Sequence, residues 1–170
     1  MDAYLAIVSK REVRNYADRP VPEDVQRRIL EAARVVGSSA NKQQRRFVVV
    51  ESEEAKLRIS ETVYTASNLT GCAFAVAVVV FGGGPGSFDA GRAAQNMMLA
   101  AWSFGVGSCP NGMPDRAAAG QVLGVDDGEE PAIIVSFGYP ARPVDPESRS
   151  PQEWIAAANR KPFDEVIRRL

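Results

Sequence analysis

Three apolar runs rich in β-branched residues, set among stretches of helical pattern, predict an α+β fold. The runs are Phe47-Val48-Val49-Val50, Ala73 to Phe81 and Pro131 to Gly138. Their continuous hydrophobicity marks buried strands. No regular βαβ alternation joins them and no Gly-x-Gly-x-x-Gly follows the first, so a doubly wound dinucleotide fold is not indicated. At 170 residues the chain suits a single domain, 1–170, without internal repeats.

Taken in order, residues 2–9 read as a short helix with Tyr4, Leu5 and Val8 on one side. Pro22-Glu23-Asp24 opens the next helix, with proline in the first turn and acids where the helix dipole favours them. Val25, Ile29, Ala32, Ala33 and Val36 form its inward face, and Gly37 ends it. A polar loop runs from Gly37 to Arg46, ahead of the Phe47 strand. Residues 53–65 predict a helix with Leu57, Ile59 and Val63 inward.

After the Ala73–Phe81 strand, Gly82 to Gly86 is a connector and not a Walker loop, since no Lys-Ser or Lys-Thr follows. Ser87 is placed to cap a long helix reaching about Gly105, with Asp89 in its first turn. Ala93, Ala94, Met97, Met98, Leu99, Ala100, Ala101, Trp102 and Phe104 surround most of that helix. A helix apolar nearly all round is buried nearly all round, which predicts a partner chain and a homodimer. Gly105 to Gly112 reads as turn, very short strand and turn, and 114–123 as an Ala-rich helix. The tail carries a helical piece around Trp154–Ala158 and a final short helix after Pro162.

Composition removes several chemistries. The chain has no histidine, which excludes Ser-His, Cys-His and His-metal sites together. Cys72 and Cys109 fit no metal or redox spacing and read as small buried thiols. A formal charge of −1 points away from nucleic acid or a membrane surface as partner. With no signal peptide and no apolar run long enough to span a bilayer, the chain reads as cytoplasmic.

Against that near-neutral background, Lys10, Arg11 and Arg14 stand within five positions. On a helical turn Lys10 and Arg14 share a face, where two cations repel unless an anion lies between them. Phosphate suits that place, because Arg offers a rigid fork of donors and Lys a point charge. A solvated basic turn is the plainer alternative for these residues taken alone.

Five motifs follow one another in a recognisable order: Lys10-Arg11-Glu12-Val13-Arg14-Asn15-Tyr16; Gly37-Ser38-Ser39-Ala40-Asn41-Lys42-Gln43; Asp89 with Ala93 to Ala101; Gly105-Val106-Gly107-Ser108-Cys109; and Gly138-Tyr139-Pro140. In this the chain resembles the FMN-dependent nitroreductase family over nearly its whole length. The resemblance implies a sheet flanked by helices, in an intertwined homodimer with one FMN at each of two interfacial sites. It implies hydride transfer from NAD(P)H through the flavin to a nitroaromatic, quinone or similar acceptor, in ping-pong order.

By the same resemblance, Lys10 and Arg14 match phosphate and ribityl contacts, with Arg11 beside them. Ser38, Ser39 and Asn41 match a loop reaching the flavin of the other subunit, with Gln43 adjacent. Pro110, Asn111 and Gly112 match the segment along the ring, where a backbone N–H of Asn111 or Gly112 faces the flavin N5. Arg160 matches a C-terminal phosphate contact. The chemistry of FMN asks for such residues independently: cations for a dianionic phosphate, donor-acceptor side chains for ribityl hydroxyls, small residues beside a planar ring. The cofactor carries the difficult chemistry, so the lack of histidine is no obstacle.

Four departures from the family pattern stand out. Glu12 replaces a usual Ser; a carboxylate about 6 Å from a phosphate costs roughly 3 kcal/mol at an effective dielectric of about 20, enough to cancel about one cation. Gln44-Arg45 replaces a common Pro-Trp pair, Gly37 replaces a Pro, and no long helical excursion separates the central helix from the Pro131 strand. Glu12 and the missing aromatic wall motivate one alternative, a flavin-binding or storage protein with little turnover; a specialised dehalogenase or peptide-ring dehydrogenase of the same family is a further reading, to whose substrate no residue points.

Overall fold

A computed structural model describes residues 1–170. In chain order the elements are α1 (Ala3–Ser9), α2 (Glu23–Arg34), β1 (Arg45–Val50), α3 (Glu53–Ser60), α4 (Ser67–Thr70), β2 (Phe74–Phe81), α5 (Gly86–Ser103), β3 (Gly107–Asn111), α6 (Arg116–Leu123), β4 (Glu129–Gly138), α7 (Pro151–Ala157) and α8 (Phe163–Val166). Helix and strand mix as the α+β reading expects. No helix is long and apolar enough to cross a membrane. The chain forms two compact units, Met1–Lys10 with Asp145–Leu170, and Arg11–Val144.

The larger unit is built on a four-stranded antiparallel sheet of order β1-β2-β4-β3. β2 lies inside it and is buried on both faces, which is why its sequence shows no alternation. Phe74, Val76 and Val78 join Ile29 and Ala33 of α2 and Ala90, Ala93 and Met97 of α5 on one face. Ala75 and Ala77 join Ile59, Val63, Leu69 and Ala119 from the α3, α4 and α6 side on the other. Phe74 and Phe137, opposite each other on β2 and β4, stack with centroids 4.9 Å apart. Pro131, which cannot donate to a ladder, falls where the β2–β4 register shifts, between Val78 and Val79.

Several sequence expectations are corrected. β1 begins at Arg45, not Phe47, because both arginines find partners: Arg45 donates to the Val36 carbonyl at the end of α2, and Arg46 pairs with Glu129 and Asp126. The helix expected over 53–65 stops at Ser60 and restarts at Ser67. Within it Leu57 is 58 % exposed, whereas Lys56 is only 4 % exposed. Lys56 is held by Nζ–H bonds to Glu53 at 2.6 Å and to the Cys72 carbonyl at 2.8 Å. Ser87 does not cap α5; the cap position is Pro85, and no side chain bonds there. α5 itself buries Ala90, Ala93, Ala94, Met97, Met98, Ala101 and Trp102, and its exposed strip of Phe88, Gly91, Arg92, Gln95 and Asn96 is largely polar. The long helix therefore leaves no broad apolar face, and the expectation of a homodimer rests on the family resemblance.

In the smaller unit α1 packs against α7. Asp2 caps α1, its Oδ1 accepting from the Leu5 N–H at 2.9 Å. Of the residues read on one side of α1, Tyr4 is 56 % exposed; Ala6 is buried. Ser150 and Glu153 form a capping box that starts α7. Trp154 is buried, and its indole N–H donates to the Pro146 carbonyl at 2.8 Å.

Candidate functional site

Residues 12–17 form an extended strap along the ends of β3 and β4. The Val13 N–H donates to the Ser108 carbonyl at 3.0 Å, Ala17 N–H to Tyr139 at 2.8 Å, and Ala141 N–H to Asn15 at 3.0 Å. Glu12 bridges Ser108 in parallel and Tyr16 bridges Pro140 in antiparallel fashion. The strap lies so close that side chains on the sheet are excluded. A Cβ at Gly107 would come 2.6 Å from Val13, and one at Gly138 would come 2.8 Å from the Tyr16 ring. The glycines of Gly105–Cys109 and Gly138–Pro140 thus serve the motif that begins at Lys10.

This docking fixes Arg11, half-buried, and Arg14, exposed, on the margin of the sheet that β3 forms. Further along β3, Pro110 is exposed; Gly112 is exposed just past its end. The Gly112 carbonyl accepts from the Tyr64 N–H at 3.1 Å, and the Tyr64 ring lies flush against Gly112, where a Cβ would meet it at 3.3 Å. Asn111 is buried, with its side chain committed inward, so what it can offer a ligand is backbone. Ser108 Oγ is buried without a hydrogen-bond partner.

Ser38, Ser39, Asn41 and Gln43 sit ahead of β1, on the opposite margin of the sheet. Three interstrand spacings separate β1 from β3, about 14 Å. One chain therefore does not bring this loop together with Pro110–Gly112. The loop is closed by the Ser38 hydroxyl, which accepts from the Gln43 N–H at 2.8 Å. Ala40, Asn41 and Gln43 all have positive φ, at 49°, 53° and 54°. Such conformations are uncommon outside glycine and cluster at functional segments. Ser39, Asn41 and Gln43 are left exposed. Arg92 steadies the loop's start by donating to the Gly37 carbonyl at 3.0 Å.

Lys10 and Arg160 belong to the smaller unit. Lys10 is half-buried at the end of α1, its N–H donating to the Ala6 carbonyl at 3.1 Å. Arg160 is exposed and donates to the Ala158 carbonyl at 3.0 Å, next to Asn159 with φ of 49°.

The family's departures acquire shapes. Gln44 covers Gly82, whose φ is +69° and whose missing Cβ would lie 2.0 Å from the Gln44 amide. Gln44 and Arg45 are thus spent on the β1 margin, and neither supplies a wall for a ligand. Residues that sequence reading missed are Asn68, Tyr64 and Ser136. Burial holds the Cys72 thiol high, pushed up to about 11, and raises the Tyr16 phenol as well. Both stay protonated near neutrality, so neither is a thiolate or phenolate nucleophile.

The fold and this strap-and-strand geometry define a nitroreductase-like α+β protein. The Nitroreductase family profile matches residues 7–72 and 86–139, and the chain belongs to that family. It is 30% identical over 150 residues to a Methanothermobacter thermautotrophicus protein named "Putative NADH dehydrogenase/NAD(P)H nitroreductase", spanning 83% of this chain and 78% of that one. Among solved structures it is similar to a "putative nitroreductase in complex with fmn" from Desulfovibrio desulfuricans, with TM-score 0.83, 23% identity and coverage of 98% and 96%. A nitroreductase family protein from Clostridium difficile gives TM-score 0.81 at 23% identity, with coverage of 99% and 98%.

Proposed function

We propose that this protein is an FMN-dependent oxidoreductase of the nitroreductase type, working as a homodimer. The observation that carries the reading is the strap, whose backbone bond to Ser108 sets Arg11 and Arg14 beside the strand that bears Pro110 and leads into Gly112. The donor set fits FMN. Two guanidiniums suit a phosphate, exposed Ser39, Asn41 and Gln43 suit hydroxyls, and the exposed Pro110 and Gly112 suit a planar ring. The orphaned Ser108 hydroxyl adds a donor with nothing in the chain to receive it.

The chemistry that FMN supplies is hydride transfer from NAD(P)H and onward reduction of a nitroaromatic, quinone or similar acceptor, in ping-pong order. The chain's own work is to hold and to position. Arg11 and Arg14 neutralise the phosphate. Backbone N–H groups at Asn111 or Gly112 meet the ring edge. The loop with Ser38, Ser39, Asn41 and Gln43 reaches the second copy's site, since it stands on the far margin of its own sheet.

Titration of purified protein with FMN, then with NADH and NADPH, tests this. The expected result is saturable flavin binding and bleaching of the flavin absorbance by a nicotinamide, with colour returned by a quinone. Protein that takes up no FMN would defeat the proposal. A second reading, flavin binding with little turnover, draws on exposed Glu12 in the strap and on the absence of a wall at Gln44-Arg45. Bound FMN that no nicotinamide reduces would select it.

A further inference from the structure

Beneath β3 lies a chain of buried polar groups that hydride transfer does not itself require. The Tyr16 hydroxyl is 2.9 Å from Ser136 Oγ. Ser136 Oγ donates to the Cys109 carbonyl at 3.2 Å and accepts from Asn111 Nδ2 at 3.2 Å. Asn111 Nδ2 also faces the carbonyls of Cys109 at 2.9 Å and Ile134 at 3.3 Å. Those two carbonyls fix the amide's orientation, because flipping it would set oxygen against oxygen. Asn111 Oδ1 then accepts, and Asn68 Nδ2 donates to it at 2.9 Å.

Each member comes from a different element: Tyr16 from the strap, Ser136 from β4, Asn111 from β3 and Asn68 from α4. The network's two ends reach the two parts of the proposed flavin site. Tyr16 belongs to the strap that carries Arg11 and Arg14. Asn68 stands in α4, four residues after Tyr64, whose N–H holds the Gly112 carbonyl. A buried polar network is no more stabilising than a packed apolar core, and a satisfied one fixes a single arrangement.

We propose that Tyr16, Ser136, Asn111 and Asn68 are positioning residues whose hydrogen-bonded relay holds the phosphate-binding strap and the Pro110–Gly112 strip in one register. The proposal rests on the flavin reading above and deepens it. Through this relay the distance between the cofactor's anchored end and its reacting ring edge is set by side chains that touch neither. The raised phenol of Tyr16 agrees with it, since a protonated hydroxyl keeps the Ser136 contact over the physiological range.

Tyr16→Phe and Ser136→Ala each remove one hydroxyl and little volume. In flavin-free protein, amide hydrogen exchange at Val13 and Tyr64, the donors to the Ser108 and Gly112 carbonyls, is expected to quicken about tenfold in both variants, with α2 amides unchanged. In the FMN complex, the ratio of affinities for oxidised and reduced flavin is expected to change about tenfold, a shift of about 30 mV for a two-electron couple. A merely structural role would lower the melting temperature, speed exchange throughout the sheet and leave that ratio alone; this pattern, or no change in either measurement, overturns the relay. Wild-type protein that binds no FMN sinks the flavin reading instead, and the relay then stands or falls on the exchange measurement. Should Ser136→Ala fail to fold, Tyr16→Phe, at a half-buried position, decides alone.

Discussion

Val13 rests directly on Gly107: a Cβ added to the glycine would lie 2.6 Å from the Val13 Cβ and Cγ2. That contact lets the strap approach near enough for the Val13 N–H to reach the Ser108 carbonyl. Gly107→Ala therefore forces the strap outward or overpacks it. The expected cost is about 1–3 kcal/mol, read as a lower urea midpoint. FMN affinity falls with it, since Arg11 and Arg14 travel with the strap. An alanine variant as stable as the parent would place the contact elsewhere.

Arg14→Ala removes one charged donor from the proposed phosphate site. Loss of about 1.5–3 kcal/mol of binding is expected, roughly tenfold to more than a hundredfold in Kd by flavin fluorescence titration. Arg34→Ala serves as control, because that guanidinium pairs with Glu31 on an exposed face of α2. Equal losses in both variants would mean the effect is general charge and not a phosphate contact.

The opposite placement of the Ser38–Gln43 loop and the Pro110–Gly112 strip makes a complementation test possible. Arg14→Ala and Asn41→Ala chains each bind FMN weakly on their own. If the loop serves the neighbouring subunit, mixed dimers hold one site with both defects and one with neither. Refolding the two variants together then restores tight binding in about a quarter of all sites, the statistical share for a twofold dimer. No recovery on mixing would put Asn41 and Arg14 in the same chain's site.

Lys56 is predicted to be worth more to stability than its partner Glu53. Lys56→Met strips the Cys72 carbonyl of its donor and leaves a buried acceptor unpaired, at about 1–3 kcal/mol. Glu53→Gln alters an exposed carboxylate and costs less than about 1 kcal/mol. Paired denaturation curves compare the two, and a reversed order would contradict the buried bond.

Alkaline pH should weaken the fold through Cys72. Its thiol is raised from 9.0 to about 11 by burial, so the unfolded chain releases that proton first. The contribution is whole below pH 9 and is lost as pH climbs through 11. The Tyr16 phenol, also raised by burial, acts in the same direction at still higher pH. Cys72→Ala should flatten the decline between pH 9 and 11, measured by denaturant midpoints; an unchanged slope would remove the thiol as its cause.

The interior was legible where one physical demand dominates. The uninterrupted run from Ala73 to Phe81 could only be a strand covered on both sides, and so it is. Reading failed where a distant partner reverses a residue's ordinary preference. Lys56 goes in and Leu57 out because an ammonium finds a carbonyl 16 positions away. Arg45 and Arg46 extend β1 because Val36, Asp126 and Glu129 receive them. The basic cluster and the Ser-Ser-x-Asn loop announced themselves as motifs. Asn68 and Ser136 did not, since a lone amide and a lone hydroxyl carry no periodic signal, and the Tyr16–Ser136 pair spans 120 positions.

The two margins of the sheet are protected unequally. The strap and Pro110 screen β3, whereas β1 offers Arg-Arg-Phe-Val-Val-Val as an outer strand with Val49 37 % exposed. Such a hexapeptide has the makings of a cross-β spine, and its two leading arginines, tied to Val36, Asp126 and Glu129, hold the strand to its own sheet. Engineering that neutralises Arg45 or Arg46 would thus invite fibrils before it disturbed any chemistry.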